Sequence, residues 1–458
     1  METSESMNQK AYDKALIVGL GKTGLSCARF LAQRGFQVAV TDSREAPPGL
    51  SDLREAVPNM AVFLGGFDAQ VFAAAEIIIL SPGVSPREPL VLEAVARGVP
   101  IIGDIEIFAQ YVQTPVIGIT GSNGKSTVTT LVAELLRAAG YQVGAGGNLG
   151  TPALDLLDGD KKDFYVLELS SFQLETTHTL NCAASVVLNL SADHIDRHES
   201  LLAYGQAKAN IFRGTGCVVI NDDEPTIDGV DLSQRRCVRF GTSKDQVSLT
   251  VGVKNHKGEE WIVAGGVLIL PVAKLKLRGR HNLSNVLAAL SVLVALEVSL
   301  GSVQEVLMQF VGLPHRMQFV AKQDNLVWIN DSKATNVGAT IAALLGLSSR
   351  VVLIAGGQGK GADFSALKTV VQDKVRAVVL FGEDAKLIES AINQVVPVVH
   401  VTSMIDAVKE AFRLAQEGDT VLLSPACASL DQYKGYEDRG NKYIKAVHEL
   451  HPVKAELS

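Results

Sequence analysis

The stretch Val116 to Thr127, V-I-G-I-T-G-S-N-G-K-S-T, carries the most concentrated phosphate chemistry of the chain. A short β-branched run (Val116, Ile117, Ile119) predicts a strand. The loop after it holds Gly121, Ser122, Asn123, Gly124 and Lys125, and Ser126 and Thr127 follow. Apolar residues at Val128, Leu131, Val132 and Leu135 then recur at helical spacing, so a helix is expected up to Ala139. Strand, glycine loop, Lys-Ser/Thr and helix together make a phosphate cradle. Glycines let backbone N–H groups turn inward, the helix N-terminus adds positive potential, the lysine supplies a charge, and a hydroxyl can reach Mg²⁺. The usual spacing G-x-x-x-x-G-K-[ST] puts its first glycine where Ile119 stands, so this loop is a shortened variant. An ordinary Gly-rich turn with an exposed lysine is the plainer alternative, and Gly-Lys-Ser-Thr at a strand-to-helix junction argues against it.

A second glycine loop comes earlier. Gly19-Leu20-Gly21-Lys22-Thr23-Gly24 joins a predicted strand, Ala15 to Gly19, to a predicted helix, Leu25 to Gln33. The next strand, Gln37 to Thr41, ends at Asp42, 42 − 24 = 18 positions past the last glycine. This is the dinucleotide fingerprint with an acid near ribose distance, and by itself it suggests NAD or FAD. Lys22, Thr23, Ser43 and Arg44 fit another nucleotide diphosphate equally well. Ser81-Pro82-Gly83, after the strand Glu76 to Leu80, falls at the carboxyl edge of the same sheet, where open α/β folds bind ligands. A plain Pro-Gly turn is its simpler reading.

These residues need a sheet to gather them. Predicted strands Phe164 to Leu169, Ala184 to Leu190 and Gly216 to Ile220 end in Glu168, in Asp193-His194 and in Asn221-Asp222-Asp223. In a parallel sheet those ends share one edge with the phosphate loop, where Glu168 can hold the Mg²⁺ of a triphosphate. His194 reads as a metal ligand, an acid/base group or a satisfied core histidine. Lys208, on the helix expected within Ala203 to Arg213, reads as solvated surface. Cys237 to Leu270 reads as hairpins packed on the α/β core. Asn282 is a candidate N-cap of an Ala/Leu-rich helix, with Asn285 one turn further. A hinge is expected at Gly312 to Arg316. After it come strands Leu326 to Asn330, Val351 to Ala355, Val375 to Phe381 and Thr420 to Leu423, with helices between them. Three of their ends are polar: Asn330 to Thr335, Gly356 to Gly361 with Lys360, and Ser424 to Ser429. The glycine-rich one serves either as another phosphate loop or as a specificity loop whose lysine meets a carboxylate. Cys427 reads as a small apolar filler.

Length and charge set the frame. With 458 residues the chain exceeds one ordinary core, and two to four domains are expected. Hydrophobic residues at 47% and charged ones at 20% describe a globular protein, and a net charge of −7 argues against a nucleic-acid surface. Anions must therefore be held by local sites. Five scattered cysteines without C-x-x-C spacing suggest reduced thiols in a cytoplasm. Met1 to Asp13 lacks a signal-peptide core, and no apolar run approaches a membrane span.

In order along the chain, Thr120 to Thr127, Glu168-Leu169-Ser170-Ser171-Phe172-Gln173, Asn189 to His194, His281 to Asn285, Pro314-His315-Arg316 and Asn330 to Asn336 resemble the motifs of the Mur ligase family of peptidoglycan synthesis. The shortened phosphate loop is a trait of that family. Gly19 to Gly24, Thr41 to Arg44, Ser81 to Gly83, Gly356 to Phe364 and Leu423 to Tyr433 are most similar to the branch that adds D-glutamate. The resemblance implies three α/β domains. Residues 1–112 would form a Rossmann-like domain for a UDP-sugar, and 113–313 a P-loop ATPase-type domain with added hairpins. Residues 314–458 would form a Rossmann-like domain for D-glutamate. It implies amide formation through an acyl phosphate, with UDP-N-acetylmuramoyl-L-alanine, D-glutamate and ATP as substrates.

By the same resemblance Lys125 stabilises the transferring phosphate. Ser126 or Thr127 with Glu168 holds one Mg²⁺, and His194 with a carbamylated Lys208 holds a second. Asn148 and Ser170 join Lys22, Thr23, Asp42, Ser43, Arg44, Ser81 and Gly83 on the UDP-sugar. Gly121 to Thr127, Asn282, Asn285, Arg316, Asp331 and Lys333 serve ATP. Thr335, Lys360, Ser429 and Tyr436 hold D-glutamate. A cytoplasmic monomer without nucleic-acid or membrane partners is expected. The alternatives are a sister Mur ligase, a folylpolyglutamate synthase-like ligase, which lacks such a first domain, and, in another class, a nicotinamide-dependent oxidoreductase or a non-catalytic nucleotide-binding regulator. No Asp-Asn/Asp-Pro-Arg motif for a diamino acid occurs in the last third.

Overall fold

The computed structural model describes residues 12–450 except 149, 192, 194, 225, 226, 228, 244–248, 278, 393 and 394. Three sheets organise them. The first contains β1 (Lys14–Val18), β2 (Gln37–Asp42), β3 (Ala61–Leu64), β4 (Ile77–Leu80) and β5 (Ile101–Ile102) in the order 3-2-1-4-5. Every pairing is parallel. β1 and β4 are apolar almost throughout (Ala-Leu-Ile-Val, Ile-Ile-Ile-Leu) because helices cover both faces of a parallel sheet.

The second sheet runs 14-13-12-11-10-9-6-8-7. It comprises β6 (Val116–Thr120), β7 (Val143–Gly147), β8 (Phe164–Glu168), β9 (Ala184–Val187), β10 (Cys217–Asn221), β11 (Cys237–Phe240), β12 (Val251–His256), β13 (Glu259–Ala264) and β14 (Val267–Pro271). Strands β6 to β11 are parallel, and β12, β13 and β14 form an antiparallel meander. The hairpins expected between Cys237 and Leu270 are thus present, but they continue the sheet edge instead of packing on the core. β11 supplies a parallel edge to which Val251 of β12 pairs at Phe240.

The third sheet, 15-16-20-17-18-19, contains β15 (Gln318–Gln323), β16 (Leu326–Asn330), β17 (Val351–Gly356), β18 (Val375–Phe381), β19 (Val398–His400) and β20 (Thr420–Leu423). Only β15 runs antiparallel to its neighbour; it closes an edge and leads into β16 through a two-residue turn at Asp324 and Asn325. By contact density the chain forms two compact units. One is the chain through Leu190 with Leu202–Ala273 and Val286–Leu307. The other is Ser191–Leu201, Lys274–Asn285 and the chain from Met308.

Candidate active site

In the first unit, β6 delivers the phosphate loop. Gly121 (φ +151) and Gly124 (φ +82) take conformations that side chains resist, which curls the loop into the helix Lys125–Ala138. Lys125 lies at the helix start and its Nζ donates to the carbonyls of Gly121 and Ser122, each at 2.8 Å. Ser122, Ser126 and Thr127 are buried around it. β8 runs beside β6 in the register Ile119↔Glu168, so Glu168 emerges next to the loop.

The Glu168 carboxylate is buried. Its Oε1 accepts from Asn148 Nδ2 at 2.6 Å, while Oε2 has no hydrogen-bond partner. A buried carboxylate oxygen without a donor is where a cation fits. Asn148 is held in turn because its N–H donates to the Glu168 carbonyl at 2.8 Å. Gly147 permits this approach: a Cβ there would meet the Glu168 carbonyl oxygen at 2.5 Å. Ser170 caps the helix Ser171–Glu175 through a reciprocal box with Gln173, whose side chain also donates to Asp104 at 3.0 Å.

Lys208 overturns the surface reading. It is 1% exposed, on the helix Leu201–Ala209, with Nζ 2.9 Å from the Gly121 carbonyl, 3.4 Å from Thr120 Oγ1 and 4.4 Å from the Tyr204 ring. Helical spacing gives no sign of this, because the burying surface is the far-off end of β6. His194 lies outside the described residues. Among those described, no three or more His, Cys, Asp or Glu side chains gather into a group that could hold a metal ion.

The earlier loop is built differently. Lys22 and Thr23 open the helix Lys22–Gln33, and Ser81 Oγ donates to the Gly19 carbonyl at 2.7 Å, tying β4 to the loop. Asp42 does not offer the free carboxylate expected for a ribose. Oδ2 accepts from Leu20 N (2.7 Å) and Arg44 Nη2 (2.7 Å), and Oδ1 accepts from Arg44 N (2.9 Å) and Nε (2.8 Å). Burial pushes its pKa up, but the Arg44 and Leu20 donors outweigh that and hold it at about 2. Ser43, Arg44 and Gly83 remain exposed along the rim.

In the second unit, Asn282 is not the N-cap. The helix Arg280–Ala295 begins after Gly279, whose carbonyl accepts from the N–H groups of Asn282 and Leu283. Asn282 therefore sits inside the first turn, and Asn285 Nδ2 donates to its Oδ1 at 3.2 Å. At the end of β16, Asp331 is buried and accepts from Met317 N (3.1 Å) and Ser424 Oγ (3.0 Å). Burial pushes its carboxyl up to about 7, against those donors and the nearby Arg316 charge. Lys333 Nζ lies 3.8 Å from the centre of the Tyr436 ring, bringing an expected ATP residue onto an expected D-glutamate residue. Gln358 and Ala428 exchange backbone hydrogen bonds at 3.0 and 2.9 Å, which joins the Lys360 loop to the Ser429 loop. Thr335 follows Lys333 on the same turn. Cys427 is an inert filler: burial pushes its thiol up to about 12.

Two features escaped the sequence. Arg439 is fully buried and donates to Ser332 Oγ (3.0 Å) and to the carbonyls of Ser332 (2.8 Å), Cys427 (3.1 Å), Ala428 (3.2 Å) and Gly356 (3.5 Å). One guanidinium thus binds the ends of β16, β17 and β20. Burial draws its pKa down to about 10. Asp193 Oδ2 accepts from Asn336 Nδ2 at 3.0 Å, while Asn336 Oδ1 caps the helix Val337–Leu345.

Three family models match in sequence along the chain: the Mur ligase MurD-like N-terminal domain over residues 13–103, the Mur ligase middle domain over 119–293 and the Mur ligase glutamate ligase domain over 315–427. The chain belongs to the Mur ligase family. This Mur ligase is 51% identical over 449 residues to the UDP-N-acetylmuramoylalanine–D-glutamate ligase of Nitrosococcus oceani, covering 98% of this chain and 99% of that one. It is 49% identical over 437 residues to the protein of that name from Methylococcus capsulatus, covering 95% of each. Among solved structures, the UDP-N-acetylmuramate-alanine ligase of Thermotoga maritima superposes with a TM-score of 0.60 at 20% identity, over 95% of this chain and 99% of that one. At that identity the likeness concerns the fold.

Proposed function

We propose that this Mur ligase joins the amine of D-glutamate to the carboxylate of UDP-N-acetylmuramoyl-L-alanine, converting ATP to ADP and phosphate. The observation that carries this is the near-full-length identity of about half to ligases named for that reaction. Residues 1–112 would take the UDP-sugar, 113–313 ATP, and 314–458 D-glutamate, in a cytoplasmic monomer. Among the described residues no helix is long and apolar enough to cross a membrane.

In the first step the muramoyl-L-alanine carboxylate attacks the γ-phosphorus, forming an acyl phosphate and releasing ADP. Two anions must meet, so neutralisation and alignment supply most of the rate. Lys125 and the N–H groups of the loop take up charge on the transferring phosphoryl group. Ser126 or Thr127 and the unpartnered Oε2 of Glu168 would hold Mg²⁺, which supplies neutralising charge to the phosphates when bound. His194 and a carbamylated Lys208 would hold a second ion. Asn148 and Ser170 orient the acceptor carboxylate, and the residues from Lys22 to Gly83 fix its UDP end, with Asp42 ordering the turn that carries Ser43 and Arg44. In the second step the D-glutamate amine attacks the acyl carbon, loses a proton, and the tetrahedral intermediate expels phosphate. Thr335, Lys360, Ser429 and Tyr436 present that amine. Asn282, Asn285, Arg316, Asp331 and Lys333 hold the adenosine and phosphates.

The test is phosphate release across a substrate panel. ADP and phosphate should form in equal amounts only when UDP-N-acetylmuramoyl-L-alanine and D-glutamate are both present. Lys125→Ala should abolish ADP formation and leave UDP-sugar binding intact. Hydride transfer without ATP, or turnover with a folate in place of the UDP-sugar, would overturn the assignment.

A further inference from the structure

We propose that Asn189 is a positioning residue for the nucleotide, acting by clamping the phosphate loop at Asn123. A phosphate loop works by presenting N–H groups from a backbone already curled. The glycines that allow the curl also make it entropically expensive to keep. Another element must therefore hold Ser122 and Asn123, which lie between Gly121 and Gly124. The structure assigns that work to the residue just beyond β9. The Ser122 N–H donates to the Asn189 main-chain carbonyl at 3.0 Å. The Asn123 N–H donates to Asn189 Oδ1 at 2.8 Å, and Asn189 Nδ2 donates to the Asn123 carbonyl at 3.1 Å.

The side-chain amide pairs with both polar groups of one loop residue, as a neighbouring strand would. The β6–β9 ladder ends at Thr120↔Val187, followed by Leu188 N donating to the Thr120 carbonyl at 2.9 Å. Asn189 extends that ladder into the loop. It is braced from its other side, because Asn221 Nδ2 of β10 donates to the Leu188 carbonyl at 2.8 Å. A carboxylate in its place has no donor for the Asn123 carbonyl, and a serine hydroxyl is too short to span both groups. With Asn123 fixed, the turn through Gly124 into the helix Lys125–Ala138 is set before a phosphate arrives, which is preorganisation.

The inference rests on the assignment of this loop to ATP. The test compares wild type, Asn189→Ala and Asn189→Asp by calorimetric binding of Mg-ATP and of UDP-N-acetylmuramoyl-L-alanine, with steady-state kinetics on each. Loss of two hydrogen bonds to the loop should weaken ATP binding roughly 5- to 150-fold. Asp should be at least as damaging as Ala, since its charge faces a carbonyl and a triphosphate. Affinity for the UDP-sugar should stay within about twofold, and KM for ATP should rise more than kcat falls. An Asp variant that binds ATP like wild type, or equal losses for both ligands, shows that the side chain only fills space and overturns the proposal. Failure of the wild type itself to bind ATP would instead remove the functional assignment beneath it. Should the variants not fold, hydrogen exchange on the nucleotide-free wild type decides. The Ser122 and Asn123 amides should exchange at least about tenfold more slowly than those of exposed turns, and equal rates would refute the clamp.

Discussion

Asp331→Asn should make this protein more stable and less active, and the stability gain should depend on pH. The carboxyl is buried at the end of β16, where burial raises its pKa from 3.8 to about 7. The folded state thus binds this proton more tightly than the unfolded state does. The stabilisation due to the protonated form is fully present below about pH 4 and is lost as pH rises to about 7, after which it is constant. About three pH units at 1.36 kcal/mol each give roughly 4 kcal/mol as an upper bound. Relaxation around a buried charge lowers this, and we take about half, ~2 kcal/mol. An Asn keeps the shape and the acceptor for Met317 N–H. Its Nδ2 donates to Ser424 Oγ, whose own hydrogen is already within reach of Thr340 Oγ1 at 3.2 Å. At pH 8 the variant should therefore melt roughly 4–8 °C higher in the unit that contains β16. At pH 5 the gap should fall to roughly a third, and near pH 4 it should close. Trp328, fully buried in the same strand, reports the transition by fluorescence once Trp261 is replaced by Phe. ATP turnover at pH 8 should drop at least about tenfold if Asp331 contacts the nucleotide. A stability gap that does not change between pH 4 and pH 8, or a variant less stable than wild type at pH 8, would refute the reasoning.

Lys208→Ala should lose most activity, and short carboxylic acids should restore part of it if the lysine works as a carbamate. No recovery at any concentration would assign the residue to its ammonium contact with the Gly121 carbonyl. Gly147→Ala should lower the melting point by several degrees and cut turnover, because φ is +96 and the new Cβ would sit 2.5 Å from the Glu168 carbonyl oxygen. A left-handed residue alone costs about 1–2 kcal/mol, and the clash adds to it. Unchanged kinetics would mean that the Glu168–Asn148 pair has slack.

The strands were readable because parallel strands covered on both faces are continuous apolar runs. β16, β18 and β20 fall where Leu326 to Asn330, Val375 to Phe381 and Thr420 to Leu423 predicted them. β15 was missed because a one-sided edge such as Gln-Phe-Val-Ala-Lys-Gln alternates weakly and carries polar ends. The helix Tyr436–Leu450 was missed for a related reason. Its inner face repeats at Arg439, Tyr443, Ala446 and Val447, a helical period that opens on an arginine. The period was available; the burial of a cation was not, since it depends on carbonyls at the ends of three strands far apart in sequence. Lys208 is the same case in the first unit. Spacing reveals which residues share a face, and only the tertiary fold reveals what that face meets.

Asp42 sharpens the distinction between motif and site. Glycine spacing and an acid 18 positions later satisfy the pattern of a nicotinamide-binding loop. A carboxylate has about four lone-pair sites. At Asp42 these are met by Leu20 N–H, Arg44 N–H and two guanidinium N–H groups. A ribose could engage it only by displacing Arg44, whose fork is a charge-assisted pair and among the stronger hydrogen bonds a protein makes. The acid therefore shapes the loop: it pins Leu20 inside the glycine turn and fixes the backbone of Arg44 at the rim. What remains for an anionic ligand is the run of backbone N–H groups at the start of the helix Lys22–Gln33 and the exposed Lys22. The acid that the motif would offer to a ribose is thus engaged within the loop itself, and the motif alone does not tell which nucleotide the loop takes.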